Sequence, residues 1–253
     1  MNLILIEPHE LAGDRATLRD GRATHIRKVL HGQPGATVRV GLLDGPRGVA
    51  TITALDDEQV ELRCAWEQEI PPLPRLDLLL ALPRPKVLRR LWAQLAALGV
   101  GRLALTNAVK VERNYFDTHV LEEATYRPLL IEGLQQAQDT RLPQVSIHKQ
   151  LKPLVEDRLD ELFPDTLRLL ADPGAREQIS GRMPTGFTGR VLLAVGPEGG
   201  WTAFERDLFA RQGFVGVGLG PRTLRTDTAC VALLATAHAA LARGVYQNAT
   251  HSD

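Results

Sequence analysis

Over the first quarter of the chain apolar and polar positions change in short runs. Residues 36–40, 48–52 and 59–63 read as half-buried strands, and residues 3–6 as a short apolar one. Leu43–Asp44–Gly45–Pro46 and Leu55–Asp56–Asp57 supply turn chemistry between them, and one helical segment is expected at residues 22–30. These elements amount to a small β-barrel-like module of about 70 residues. Pro71, Pro72 and Pro74 then stiffen the chain and mark a boundary. Beyond them the pattern changes to unbroken apolar runs of strand length at residues 76–82, 101–106, 167–171, 190–195 and 214–219, the form of strands covered on both faces. Helical periodicity fills the gaps at residues 87–98, 121–138, 202–212 and 228–242, and Gly99 stands where a helix C-cap glycine belongs. Strands alternating with helices predict an α/β domain with a mostly parallel sheet.

Composition adds boundaries to this picture. The 253 residues are 44% hydrophobic and 24% charged, a globular balance. Lys plus Arg and Asp plus Glu are both 30, so net charge neither advertises nor excludes a polyanionic partner. Cys64 and Cys230 are far apart and show no metal-ligand spacing, which fits two buried thiols in a reducing compartment and no metal. The N-terminal residues lack a signal-peptide pattern and no run reaches membrane-spanning length, so the expected location is cytoplasmic, with no membrane partner.

Chemistry concentrates in two loops. Gly196–Pro197–Glu198–Gly199–Gly200 lies between an apolar strand and a helix whose start is fixed by a Thr202/Glu205 capping box. Its glycines permit a sharp turn and a close backbone approach to a ligand. The second loop, Gly220–Pro221–Arg222–Thr223–Leu224–Arg225–Thr226–Asp227–Thr228–Ala229, repeats the strand–loop–helix design, and its two arginines suit an anionic or planar partner. At neighbouring strand ends the two loops would wall a single pocket.

These two segments, with Glu205 and Leu219, resemble the paired signature of the RsmE-type ribosomal RNA uridine N3-methyltransferases, members of the SPOUT superfamily of knotted methyltransferases. His25–Ile26–Arg27–Lys28–Val29–Leu30, Ala97–Leu98–Gly99–Val100 and Arg141–Leu142–Pro143 are similar to further motifs of that family, so the resemblance spans nearly the whole chain. It implies a PUA-like β-barrel RNA-binding domain over residues 1–72 and a SPOUT-type α/β methyltransferase domain with a trefoil knot over residues 73–253. It further implies S-adenosyl-L-methionine as cofactor, a homodimer, and small-subunit (16S) ribosomal RNA as partner. By the same resemblance, Leu170, Ala171, Gly196, Glu198, Gly200, Leu219, Gly220, Arg222, Leu224, Thr228 and Ala229 are candidate cofactor-binding residues. The chain departs from the family pattern at its start (Met1–Asn2–Leu3), at His31, at Gln94 and Ala97, and around Gln135, Gln136 and Asp139, positions where the family usually carries other, often charged, residues.

Methylation of uridine N3 requires loss of the imide proton, so a base or a cation beside the imidate oxygens is needed. Arg225 is the candidate cation, with Glu198 and Asp227 as candidate proton acceptors; Glu198 equally suits capping of its own loop, and Asp227 capping of the last helix. For RNA, Arg22, His25, Arg27 and Lys28 form one basic stretch and Arg84 and Lys86, followed by Arg89 and Arg90, another. Residues 76–150 carry 10 Lys plus Arg against 7 Asp plus Glu, a local excess of +3. No aromatic residue is interleaved with either basic stretch. Two other readings stay open: a paralogue acting on another RNA, and a non-catalytic RNA-binding or ribosome-assembly factor of the same fold.

Overall fold

The computed structural model describes residues 3–249, with side chains as far as Ala242; Met1 and Asn2, where the chain departs from the family at its start, lie outside the described residues. The chain divides into two compact units, one of residues up to Leu73 together with Leu130–Leu142, the other of Pro74–Leu129 and the residues from Pro143 onward.

In the first unit the strands are β1 (Ile4–Ile6), β2 (Leu11–Ala12), β3 (Arg15–Leu18), β4 (Thr37–Leu42), β5 (Arg47–Leu55) and β6 (Val60–Trp66), with helix α1 (Gly21–Lys28) after β3. They form one six-stranded sheet in the order β1-β4-β5-β6-β3-β2, antiparallel except for the β1–β4 pair. The expected alternation is present: along β5 every second residue from Gly48 to Ile52 is buried, as period-two geometry requires. Ile4, Ile6, Leu18, Ile26, Val40, Ile52, Val60 and Leu62 make its core. The β2–β3 hairpin, whose first strand has only two residues, is absent from the sequence reading. Helix α1 begins at Gly21 because the Asp20 carboxylate accepts the Arg22 amide (2.9 Å). Residues 130–142 contribute Thr140, whose hydroxyl donates to Gly45 O at 2.7 Å and whose carbonyl accepts from Asp44 N at 2.8 Å.

The second unit is built on β7 (Leu76–Ala81), β8 (Val100–Thr106), β9 (Gln144–His148), β10 (Thr166–Ala171), β11 (Arg190–Val195) and β12 (Val215–Val217), all parallel, in the order β12-β10-β11-β7-β8-β9. The chain therefore steps outward from β7 to β9, returns to β10, places β11 between β10 and β7, and crosses β10 again to reach β12. Both central runs are fully buried, β7 along all six residues and β11 from Val191 to Val195. The one charge inside β7, Asp77, is held by Arg190 (3.0 and 2.5 Å) and by the Arg102 amide (2.9 Å), so the buried carboxylate is paired rather than orphaned. The helices are α2 (Pro85–Ala97), α3 (Glu123–Ala137, whose second half belongs to the first unit), short α4 (Leu151–Pro153), α5 (Leu159–Leu162) and α6 (Ile179–Arg182), then α7 (Ala203–Arg211) and α8 (Thr226–Ala249). Helix α8 packs on α2, α6, β7 and β11. Residues 214–219, read as a six-residue strand, pair only over Val215–Val217, because β12 is an edge strand with one neighbour. Strand β9 and the helical segment from Leu151 to Leu162 carry no apolar run of strand or helix length and are missing from the sequence reading. Among the described residues no helix is long and apolar enough to cross a membrane.

Candidate active site

At the carboxyl ends of β10, β11 and β12 three loops enclose a cavity of about 100 Å³, open to solvent. This is where an open α/β sheet binds ligands, beside the point at which the strand order reverses. Ala171, Asp172 and Pro173 form one wall. Residues 195–198 with Gly200 and Trp201 form the second, and residues 217–220 with Arg222, Thr223 and Leu224 the third; Thr226, Ala229 and Leu233 of α8 close the floor. Two of the loop glycines need their freedom: Gly200 (φ +68°) and Gly220 (φ +96°) lie in the left-handed region. A third is sterically required, since a Cβ on Gly218 would stand 2.5 Å from the Ala175 carbonyl oxygen.

The glycine-rich loop is held from behind. The Thr202 hydroxyl accepts from the Glu205 amide and the Glu205 carboxylate accepts from the Thr202 amide at 2.7 Å, completing the expected capping box. Glu205 does more than cap. Only 2% exposed, it also accepts the Thr202 hydroxyl at 2.8 Å and, through its other oxygen, the Val109 amide at 2.8 Å. The loop after β8 is thereby tied to the start of α7. Lys110 of that loop lies across Gly199 and donates to its carbonyl at 2.5 Å. Gly199 thus faces Lys110 and is not among the cavity residues.

Of the candidate cofactor residues, Ala171, Gly196, Glu198, Gly200, Leu219, Gly220, Arg222, Leu224 and Ala229 line the cavity. Leu170 does not, being buried under the sheet end, and Thr228 does not. Helical geometry explains the second: Thr226, Ala229 and Leu233 recur at i, i+3 and i+7 and share one face of α8, whereas Thr228 points elsewhere. The same periodicity, applied from Ala229, was the available signal for Thr226 and Leu233, which the sequence reading missed along with Trp201.

Among the candidate catalytic residues only Glu198 lines the cavity. Arg225 is exposed one position before α8. Asp227 pairs with Arg90 of α2 (3.0 Å) and accepts the Thr228 amide (2.9 Å). Its partial desolvation opposes the charge, yet the hydrogen bonds from Thr228 and Arg90 prevail and hold its pKa below the usual carboxylate value.

The candidate RNA residues divide as well. Arg22 is committed within its own unit, to Glu10 (2.5 Å), Asp20 (2.7 Å) and the Leu5 carbonyl (2.6 Å). Arg27 donates to Asp56 O (2.8 Å) and faces Asp57. His25 is half-buried, with Nε2 lacking a partner among the described residues. Lys28, Arg84 and Lys86 are exposed.

A family model for an RNA methyltransferase domain matches residues 71–238, about two thirds of the chain. The ribosomal RNA small subunit methyltransferase E of Treponema pallidum (strain Nichols) is 34% identical over 94% of this chain and 92% of its own. The chain belongs to the small-subunit ribosomal RNA methyltransferase E family. A second member, methyltransferase E 1 of Borreliella burgdorferi, is 27% identical over 92% of this chain and 95% of its own. Among solved structures, methyltransferase E from Neisseria gonorrhoeae, bound to S-adenosyl methionine, shares the fold with a TM-score of 0.76 at 22% identity, covering 94% of this chain and 97% of that one. As a methyltransferase of this family, the protein presents its two signature segments as facing walls of one cavity.

Proposed function

We propose that the protein is an S-adenosylmethionine-dependent methyltransferase that acts on N3 of a uridine in 16S ribosomal RNA. The observation that carries the reading is the cavity at the carboxyl ends of β10–β12, two of whose three walls are the family's signature loops. The Treponema pallidum relative is named for the small ribosomal subunit, and the Neisseria gonorrhoeae structure holds S-adenosyl methionine. The residues present suit that cofactor. Glycines at 196, 200, 218 and 220 keep Cβ atoms out of the cradle, and Leu219, Leu224, Ala229 and Leu233 offer apolar surface of the kind an adenine needs.

When bound, the cofactor supplies an electrophilic methyl group. The chain's part is to hold the nucleophilic nitrogen in line, exclude water and take its proton. Glu198, exposed at the cavity wall and free of ion pairs among the described residues, is the better placed of the two candidate acceptors. Asp227, already neutralised by Arg90, acts instead to position the start of α8. Arg225 has no carboxylate partner among the described residues and retains its full charge for the imidate oxygens of the base. The reading further includes a trefoil knot in the second unit, a PUA-like barrel in the first, a homodimer, and action in the cytoplasm.

Calorimetric titration with S-adenosylmethionine and S-adenosylhomocysteine, followed by methyl transfer to 16S RNA and mapping of the modified base, tests the reading. One site per chain and N3-methyluridine are expected; absence of binding to either ligand overturns it. Arg225→Ala is expected to lower turnover while leaving cofactor affinity unchanged. Equal loss of both would move Arg225 into the cofactor site.

A further inference from the structure

Outside the cavity, the second unit carries a run of cations that its own carboxylates do not neutralise. Residues 83–90, between β7 and the first turns of α2, contain Arg84, Lys86, Arg89 and Arg90 and no acidic residue, and all four are exposed. Only Arg90 is ion-paired, to Asp227; Lys86 and Arg89 have no partner among the described residues. The loop after β8 adds Lys110 and Arg113. The Lys110 ammonium meets a carbonyl, not a carboxylate, so its charge stands and two of its three donors remain. The single acidic residue between 107 and 116, Glu112, accepts the Tyr115 hydroxyl at 2.9 Å.

Tyr115 is the aromatic residue that the linear sequence separates from the cations of residues 84–90 and the fold returns to Arg84. It sits with Arg113 in a single 3₁₀ turn, Arg113–Phe116, and Arg84 lies close enough to interact electrostatically with its hydroxyl. Its ring is half-exposed, and among the described residues no other ring or guanidinium stacks on it. The loop runs directly to the cavity, because its Lys110 rests on Gly199, between the lining residues Glu198 and Gly200. The first unit's basic stretch is different: Arg22 and Arg27 are taken up by Glu10, Asp20 and the 56–57 turn.

We propose that Tyr115, flanked by Arg84, Lys86, Lys110 and Arg113, is a seat for single-stranded RNA beside the catalytic cavity, a nucleobase stacking on the Tyr115 ring while the cations take the neighbouring phosphates. A positively charged track with an aromatic platform is how single strands are held without base-edge readout, and a nucleotide must leave its stack before its base enters a pocket. The proposal rests on the RNA methyltransferase reading and assigns the surface through which the substrate arrives. Duplex RNA has no free base to offer the ring, so single strands are the chosen occupant.

The test is fluorescence anisotropy of the full chain with a labelled single-stranded 16S RNA fragment across a series of salt concentrations, with S-adenosylhomocysteine affinity measured in parallel. Tyr115→Leu is expected to weaken RNA binding about tenfold or more at an unchanged salt slope, and Tyr115→Phe to restore it. Lys86→Ala with Arg113→Ala is expected to lower the slope of log K against log salt by about 1.4, near 0.7 per lost phosphate contact. Arg27→Ala is expected to leave the slope unchanged. The proposal is overturned if Tyr115→Leu binds as the parent does, if Tyr115→Phe fails to rescue, or if duplex RNA binds as well and as Tyr115-dependently as single strands. A Tyr115→Leu variant that changes oligomeric state with RNA affinity intact assigns the face to a second copy and also overturns it. Loss of S-adenosylhomocysteine binding by the parent protein, in contrast, counts against the methyltransferase reading itself.

Discussion

Glu205 is the side chain on which the geometry of the glycine-rich loop turns, and replacing it by Gln isolates its charge at constant shape. In the native arrangement one carboxylate oxygen accepts the Thr202 amide and hydroxyl and the other accepts the Val109 amide, at 2.7 to 2.8 Å. The residue is 2% exposed, so water does not replace these bonds. A Gln keeps one acceptor for Val109 but turns an NH₂ toward the Thr202 amide, leaving two donors face to face. Hydrogen bonds to a charged group contribute about 1.5–3 kcal/mol each, and one buried pair is lost outright, so the expected cost is about 2–3 kcal/mol. For a domain of this size that lowers Tm by roughly 5–10 °C. Glu205→Ala removes both acceptors and costs about 3–5 kcal/mol. Urea unfolding followed by circular dichroism gives the free energies, and amide hydrogen exchange reports the Val109 N–H directly. Protection of that amide is expected to fall in both variants. A Glu205→Gln protein within about 0.5 kcal/mol of the parent, with Val109 still protected, would refute the role assigned to the buried carboxylate.

Other sites give shorter tests. Gly200→Ala places a Cβ in open space at φ +68°, so its cost is backbone strain alone, about 1–2 kcal/mol, whereas the cost of Gly218→Ala is steric, a Cβ driven to 2.5 Å from the Ala175 carbonyl oxygen, and that variant is expected to unfold more readily; thermal melts of both variants check the order. Burial pushes the Cys64 thiol up to about 11 and the Cys230 thiol up to about 12, so neither is expected to react with an aromatic disulfide reagent at pH 8 until denaturant is added, and rapid native reaction would contradict their burial. Desolvation opposes the Asp20 charge, but its hydrogen bonds with Arg22 prevail and lower its pKa. Its contribution is therefore present above the unfolded carboxylate pKa and lost as pH falls through the lower folded value; acid unfolding of Asp20→Asn should show a shallower loss over that window.

What could be read from the sequence divides according to how far each feature acts along the chain. The unbroken runs at 76–82 and 190–195 announce buried parallel strands because burial on both faces is a property of the segment itself. The glycines at 200 and 220 announce sharp turns for the same reason, as does the Thr202/Glu205 cap across three residues. Sheet order is not of this kind: nothing in the periodicity of residues 190–195 says that β11 inserts between β10 and β7. Strand β9, half-buried at the sheet edge, has no apolar run to declare it. Charge is the sharpest case. The letters at 22–28 and at 84–90 look equally basic, yet Arg22 is neutralised by Glu10 twelve residues upstream, and Arg27 is paired with the Asp57 carboxylate thirty residues downstream. Lys86, Arg89 and Arg113 meet no such partner among the described residues. Glu205 and Val109, ninety-six residues apart, make the same point for a buried carboxylate. A count of charges along the chain therefore locates cations but not free ones, and it is the free ones, gathered around Tyr115 next to the cavity, that have electrostatic energy left to offer a polyanion.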